Sequence, residues 1–134
     1  MSGWTKQTLT TANTTKTGTG DVGVIYQAKR PTRVHRIIFR PLGANVATVA
    51  RVFLNNGEDN DNPTNNSFFD DITLEATTLD ETAAQAAEQL SYDDLILEEN
   101  ERLLVTLGTT VAAGWQVTAL TEDYEASQVN LATT

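Results

Sequence analysis

Short alternating runs, each cut off by a turn cluster, constrain this chain more than any other feature. Turn signals recur about every 8–12 residues, and no helical period is sustained between them. Residues 22–29 alternate, with Val22, Val24, Tyr26 and Ala28 on one face, and Pro31 ends the run. Residues 33–40 put Ile37 and Phe39 on one side and Arg36, Ile38 and Arg40 on the other. After the turn cluster at residues 41–45, residues 46–55 set Ala50, Val52 and Leu54 against Val49, Arg51 and Phe53. Residues 68–76 point Ile72, Leu74 and Ala76 inward, Leu103, Val105 and Leu107 share a face, and so do Trp115, Val117, Ala119 and Thr121. The one helix-like stretch is Asp80 to Leu90, where Asp80 can cap and Ala83, Ala84, Ala86 and Ala87 favour helix. The expectation is an all-β chain: an antiparallel β-sandwich, jelly-roll or Ig-like, with seven or eight short strands and one short surface helix.

The 134 residues suffice for one ordinary domain. Residues 21–124 read as its body, residues 125–134 as a polar tail, and residues 1–20 as an extended arm. That arm holds eight of the chain's 22 threonines, and Trp4 and Leu9 are its only large apolar residues. It cannot bury enough surface to fold alone, so it needs its own body or a neighbour to lie on. No apolar run approaches the about 18–20 residues of a membrane span, so no membrane contact is expected. The first residues lack a charged stretch followed by an apolar one, which points to synthesis in a cytoplasm without export.

The net charge of −9 is unevenly spread. Residues 1–51 carry eight Lys+Arg against one acidic residue, whereas residues 52–134 carry one (Arg102) against seventeen. Two arrangements are open. Basic and acidic strands lie side by side and neutralise one another, or the cluster Lys29, Arg30, Arg33, Arg36 and Arg40 faces an acidic partner or the acidic flank of a neighbouring copy. Nucleic acid is not the expected partner, because no aromatic platform interleaves with that cluster and the remaining field repels phosphate.

The chemical inventory is thin. With no cysteine and a single histidine, His35, thiolate and multi-histidine metal sites and cysteine nucleophiles are excluded. His35 shares the alternation of Ile37 and is expected to face inward. No Gly-x-Ser-x-Gly motif is present, and Gly18-Thr19-Gly20 is too short for a phosphate loop. The adjacent carboxylates Asp70-Asp71, Asp93-Asp94 and Glu98-Glu99 point to opposite strand faces and make poor acid/base couples. Residues 57–63 gather hard oxygens at Asp-x-Asp spacing but lack the glycine and glutamate of a calcium hand, so a solvated loop is expected. The expectation is therefore no enzyme, no cofactor and no metal.

Two stretches, RVHRIIFRPLGANVATVARVFLNNG at 33–57 and LLVTLGTTVAAGWQVTALTEDY at 103–124, resemble small proteins encoded among tailed-bacteriophage structural genes. The opening TANTTKTGTG at 11–20 fits as well. The alanine- and acid-rich stretch 82–94 and the ending Thr121-Glu122-Asp123-Tyr124 depart from that texture. The resemblance implies a virion component on the capsid surface, assembled in the host cytoplasm. It implies a capsid decoration (cement) protein that binds the major capsid protein or another virion protein as a homo-oligomer, with a trimer favoured. A tail- or neck-associated role is the alternative within that class. Under this reading Trp4 and Leu9 anchor the arm and Lys29, Arg30, Arg33, Arg36 and Arg40 supply the basic contacts. A receptor- or carbohydrate-binding sandwich using Trp115 or Tyr92 beside the 57–63 loop is the competing function.

Overall fold

The computed structural model describes residues 2–123; Met1, Tyr124 and the expected tail at 125–134 lie outside the described residues. Eight strands follow one another: β1 (Ser2–Leu9), β2 (Gly23–Gln27), β3 (Thr32–Pro41), β4 (Thr48–Asn55), β5 (Asn66–Leu74), β6 (Glu88–Leu97), β7 (Arg102–Leu107) and β8 (Trp115–Asp123). They form two antiparallel sheets, β1-β8-β3-β6 (sheet A) and β2-β7-β4-β5 (sheet B). The pairings nest: β1 with β8, β2 with β7, β3 with β6 and β4 with β5. One long antiparallel ribbon is thus rolled up until β3 also meets β8 and β4 also meets β7. This is the strand order of a jelly roll, and it decides between the two sandwich types that the turn spacing left open.

The core lies between the sheets. Sheet A supplies Val34, Ile37, Phe39, Trp115, Val117 and Ala119; sheet B supplies Ile25, Ala50, Val52, Leu74, Leu103, Val105 and Leu107. Full burial of each large member contributes about 1.5–3 kcal/mol. Uninterrupted alternation brings these residues to one side of β7 and β8, as the sequence predicts.

Elsewhere, bulges reset the alternation. A register shift between Val24 and Tyr26 turns Ile25 inward, so Val24 is exposed instead of buried. A second shift, between Val34 and Arg36, turns His35 outward, against expectation. A third, in the β4–β5 pairing, sets Phe53 against Phe68 and leaves Phe69 as the extra residue. Ala76 lies beyond the end of β5 and is exposed instead of inward.

The expected helix at Asp80 to Leu90 is absent. Residues 75–87 are irregular and Leu90 lies within β6, paired to Ile37. A stretch this short needs a packed apolar face to stay helical, and alanines supply little of one. The Asp80 carboxylate accepts hydrogen bonds from the Thr82 N–H and hydroxyl, both at 2.8 Å, and closes a local turn. Among the described residues the one helical element is a 3₁₀ turn, Pro63–Asn65.

The threonine-rich segment docks on its own body. Residues 2–9 are β1 itself, added to the β8 edge, and Thr5 donates its hydroxyl to the Ile25 carbonyl across the gap between the sheets. Beyond β1, Asn60 donates to the Gly18 and Gly20 carbonyls and Asn66 to that of Thr17, while Asp61 accepts from the Gly20 N–H.

Two side chains tie separate parts of the roll together. Asn45 is buried; its oxygen accepts from the Ala113 and Gly114 N–H groups at 3.0 and 2.8 Å, and its amide donates to the Gly114 carbonyl at 3.0 Å. Asn45 also exchanges backbone hydrogen bonds with Thr77, so three loops converge on it. At the opposite edge, half-buried Tyr92 of β6 donates its hydroxyl to the Asp70 carboxylate of β5 at 2.9 Å, and its ring lies 5.4 Å from that of Phe69.

Two outcomes follow. Asn45→Ala orphans two N–H groups and is expected to destabilise the fold by about 3 kcal/mol, lowering the melting temperature by about 10 °C. Differential scanning calorimetry reads this, and an unchanged midpoint would remove Asn45 from its stapling role. Burial and the Asp70 carboxylate hold the Tyr92 phenol above its ordinary value of 10.0. The folded state therefore favours the protonated phenol, and the stability this contributes is complete below pH 10 and lost as the pH rises further. Between pH 10 and 12 the wild-type melting temperature should fall more steeply than that of Tyr92→Phe.

Candidate functional site

On sheet A, the side chains that alternate away from the core form lateral rows. Trp4, Leu120, Arg36 and Ser91 are consecutive register partners across β1, β8, β3 and β6. Lys6, Thr118, Ile38 and Gln89 form the next row, and Thr8, Gln116 and Arg40 the one after. Adjacent strands lie about 4.8 Å apart, which places Trp4 and Arg36 about 10 Å from each other across β8. Trp4 is 64% exposed, Leu120 is half-buried, and Arg36, Arg40 and Lys6 are exposed. Between Trp4, His35, Arg36 and Leu120 the surface sinks into an open depression of about 410 Å³.

Trp4 stands here because β1 alternates. Thr5 and Leu9 turn toward the body, so Trp4, Lys6 and Thr8 turn to solvent. Leu9 packs against the core, and a Cβ added to Gly23 would lie 2.5 Å from its Cδ2. Leu9 therefore anchors β1 to its own body and is not presented to a partner.

The basic residues divide. Arg30, at the β2–β3 turn beside Lys29, pairs with Asp123 at 3.6 Å, and Arg33 is the register partner of Glu122, whose carboxylate lies 3.2 Å from His35 Nε2. Arg51 lies opposite Asp71. At these positions the basic first third of the sequence interleaves with the acidic remainder, and such exposed pairs contribute about 0–1 kcal/mol each. Arg36 and Arg40 differ, because their cross-strand neighbours are Leu120, Ser91 and Gln116. With Lys6 they leave a positive strip beside an exposed indole on a strongly acidic molecule. The structure brings Trp4, Arg36 and Arg40 onto one face; Leu9, Lys29 and Arg30 lie elsewhere. Leu120, Ile38 and Lys6 complete the face. Alternation in β3 already sets Ile38 beside Arg36 and Arg40, but Leu120 and Lys6 escape sequence reading because only the pairing of β8 with both β1 and β3 sets them in rows.

The other candidates are engaged in structure. Trp115 is buried in the core, and Tyr92 is held by Asp70 and Phe69. In the 57–63 loop, Asp59 accepts from the Asp61 N–H, Asp61 from Gly20, and Asn62 from Thr64. The loop oxygens thus serve backbone donors, and among the described residues no three acidic or histidine side chains converge on a common point.

The two tryptophans are a built-in probe. Trp115 is buried and Trp4 exposed, so Trp115→Phe should leave a red-shifted emission. Relative to a free tryptophan derivative, the ratio of iodide to caesium quenching of that emission should be raised, because Lys6 and Arg36 attract the anion. A ratio at or below that of the free derivative would remove the positive strip.

No family model, no curated protein and no solved structure matches the chain.

Proposed function

We propose that this protein is a non-enzymatic structural component of a bacteriophage particle, a capsid decoration protein that binds the capsid lattice in several copies through the outer face of sheet A. The observation that carries this reading is the row Trp4–Leu120–Arg36, an exposed indole and a guanidinium on a rigid sheet without a carboxylate partner among their row neighbours. Tryptophan and arginine are the residues that most often dominate interface energies, above all when their positions are fixed before binding. The positive strip on an otherwise acidic body favours one orientation against an acidic surface. A lattice repeats such a contact many times, so a modest single contact suffices for occupancy. The resemblance of residues 33–57 and 103–124 to phage structural proteins supports a particle as the assembly.

Removing residues 1–20 is a poor test, because it deletes β1 and with it a strand of sheet A. Point changes on the face avoid this. Trp4→Ala and the pair Arg36→Glu/Arg40→Glu should each weaken co-sedimentation with particles by about tenfold or more while leaving the melting temperature within about 2 °C. Binding should also weaken between 50 and 500 mM salt. Wild-type occupancy by both variants would overturn the proposal, and sedimentation with isolated tails in place of capsids would move the protein to the tail.

A further inference from the structure

We infer that the open edge of the sandwich where β5 and β6 lie together, with Phe68, Phe69 and Tyr92 on it, binds an extended, arginine-bearing segment of another protein. β6 ends sheet A on the side opposite β1 and its Trp4, and the inference stands without the proposed contact with a particle.

β5 is the last strand of sheet B and β6 the last of sheet A, and among the described residues each pairs on one side only. Both strands bulge where they meet. Phe69 is the extra residue of β5, and on β6 Tyr92, Asp93 and Asp94 stand opposite His35 alone, between the pairs Val34–Leu95 and Arg36–Ser91. The rings of Phe69 and Tyr92 lie 5.4 Å apart, and the Tyr92 hydroxyl donates to the Asp70 carboxylate at 2.9 Å. Bulges re-aim side chains, and these two bring rings and a carboxylate from different sheets to one place. Tyr92 fixes Asp70 and Phe69, so the place is formed before any partner arrives. Phe69 nevertheless stays 40% exposed, as does Phe68, which leans on Phe53. Two uncovered phenylalanines on a strand with a free edge mark a contact surface.

Charge selects the occupant. Residues 52–101 hold fourteen acidic side chains and no lysine or arginine. Asp93 and Asp94 are exposed beside the rings, and neither they nor Asp70 has an ion pair among the described residues. Charge on an edge strand commonly guards it against unwanted pairing, and a guard of one sign discriminates by sign. This one repels the same edge of a second copy and any other acidic strand, and it admits a basic one. Arginine fits best, because its guanidinium stacks flat on a ring face and donates to carboxylates at the same time. A backbone running along β5 also meets the unpaired N–H and C=O groups of that strand.

The test is the fluorescence anisotropy of a labelled decapeptide that alternates arginine with threonine, titrated with the full chain at about 50 mM salt. Wild type should bind it with a Kd of about 10–100 μM, and a lysine counterpart at least about threefold more weakly. Phe69→Ser should weaken binding by about fivefold or more, and Phe69→Leu, which keeps an apolar cover over Tyr92 and removes the ring face, serves if the serine variant fails to fold. Asp93→Asn/Asp94→Asn should also weaken it by about fivefold or more. Glu98→Gln/Glu99→Gln, the same change of charge at the turn after β6, should weaken it by less than about twofold. Binding that falls equally with both charge pairs, ignores the loss of the Phe69 ring or takes the lysine peptide equally is the general attraction of an acidic molecule for a basic peptide, and it overturns the inference. So does the absence of saturable binding below about 1 mM. Particle binding by a chain that ignores the peptide defeats this inference alone; peptide binding by a chain that ignores particles defeats only the proposed function.

Discussion

The pairing of β8 with both β1 and β3 is the interaction on which the rest of the molecule depends. Trp115, Val117, Ala119 and Thr121 turn into the core from β8, and the same strand holds β1 on one side and β3 on the other. β1 and β8 lie at opposite ends of the described chain, so this closure joins the most distant segments in sequence. Contacts of that kind are reached only after the entropy of closing a long loop has been overcome, which favours slow and cooperative folding. The surface chemistry depends on the same pairing. Trp4 and Arg36 come within reach of a single partner only because Leu120 lies in register between them. A one-residue slip of β1 would turn the indole inward and Thr5 outward, and the row would vanish.

Local alternation made the architecture legible where nothing interrupted it. β8 is regular, and its buried residues are those that parity assigns, whereas β7 is buried on both faces, Leu104 and Thr106 included. The three bulges carry no comparable mark. Neither His35 nor Phe69 is a glycine or sits beside a proline, yet each occupies an irregular position whose existence depends on the partner strand. Phe53 shows a related gap: it alternates away from the core and is nevertheless fully buried, with Phe68 at 5.2 Å between ring centroids. Residues 82–87 misled for a different reason. Alanine propensity describes an isolated helix, but the stretch lies between two strands whose pairings, β4 with β5 and β3 with β6, fix both its ends.

The charge layout carried real information in linear form, but its meaning lay in the strand order. Summed along the sequence, the basic first third and acidic remainder suggest two poles. Once rolled, β3 lies between β8 and β6, so Arg33 meets Glu122 while Arg36 and Arg40 meet neutral neighbours. The candidate face is thus the part of the basic cluster that strand pairing leaves uncompensated. That selection separates Arg36 and Arg40 from Arg30, and no spacing rule in the sequence could have made it.

Parity along β1 divides the work of that strand. Thr5 and Leu9 turn toward the body and fasten it, Thr5 through the Ile25 carbonyl and Leu9 against the core, so Trp4, Lys6 and Thr8 turn to solvent. The exposure of the indole and the anchoring of the strand are therefore one constraint: the alternation that buries Leu9 presents Trp4. Because β1 is held along its whole length by β8, the Trp4 backbone is fixed before any contact, and a partner reading this row would meet little backbone ordering cost.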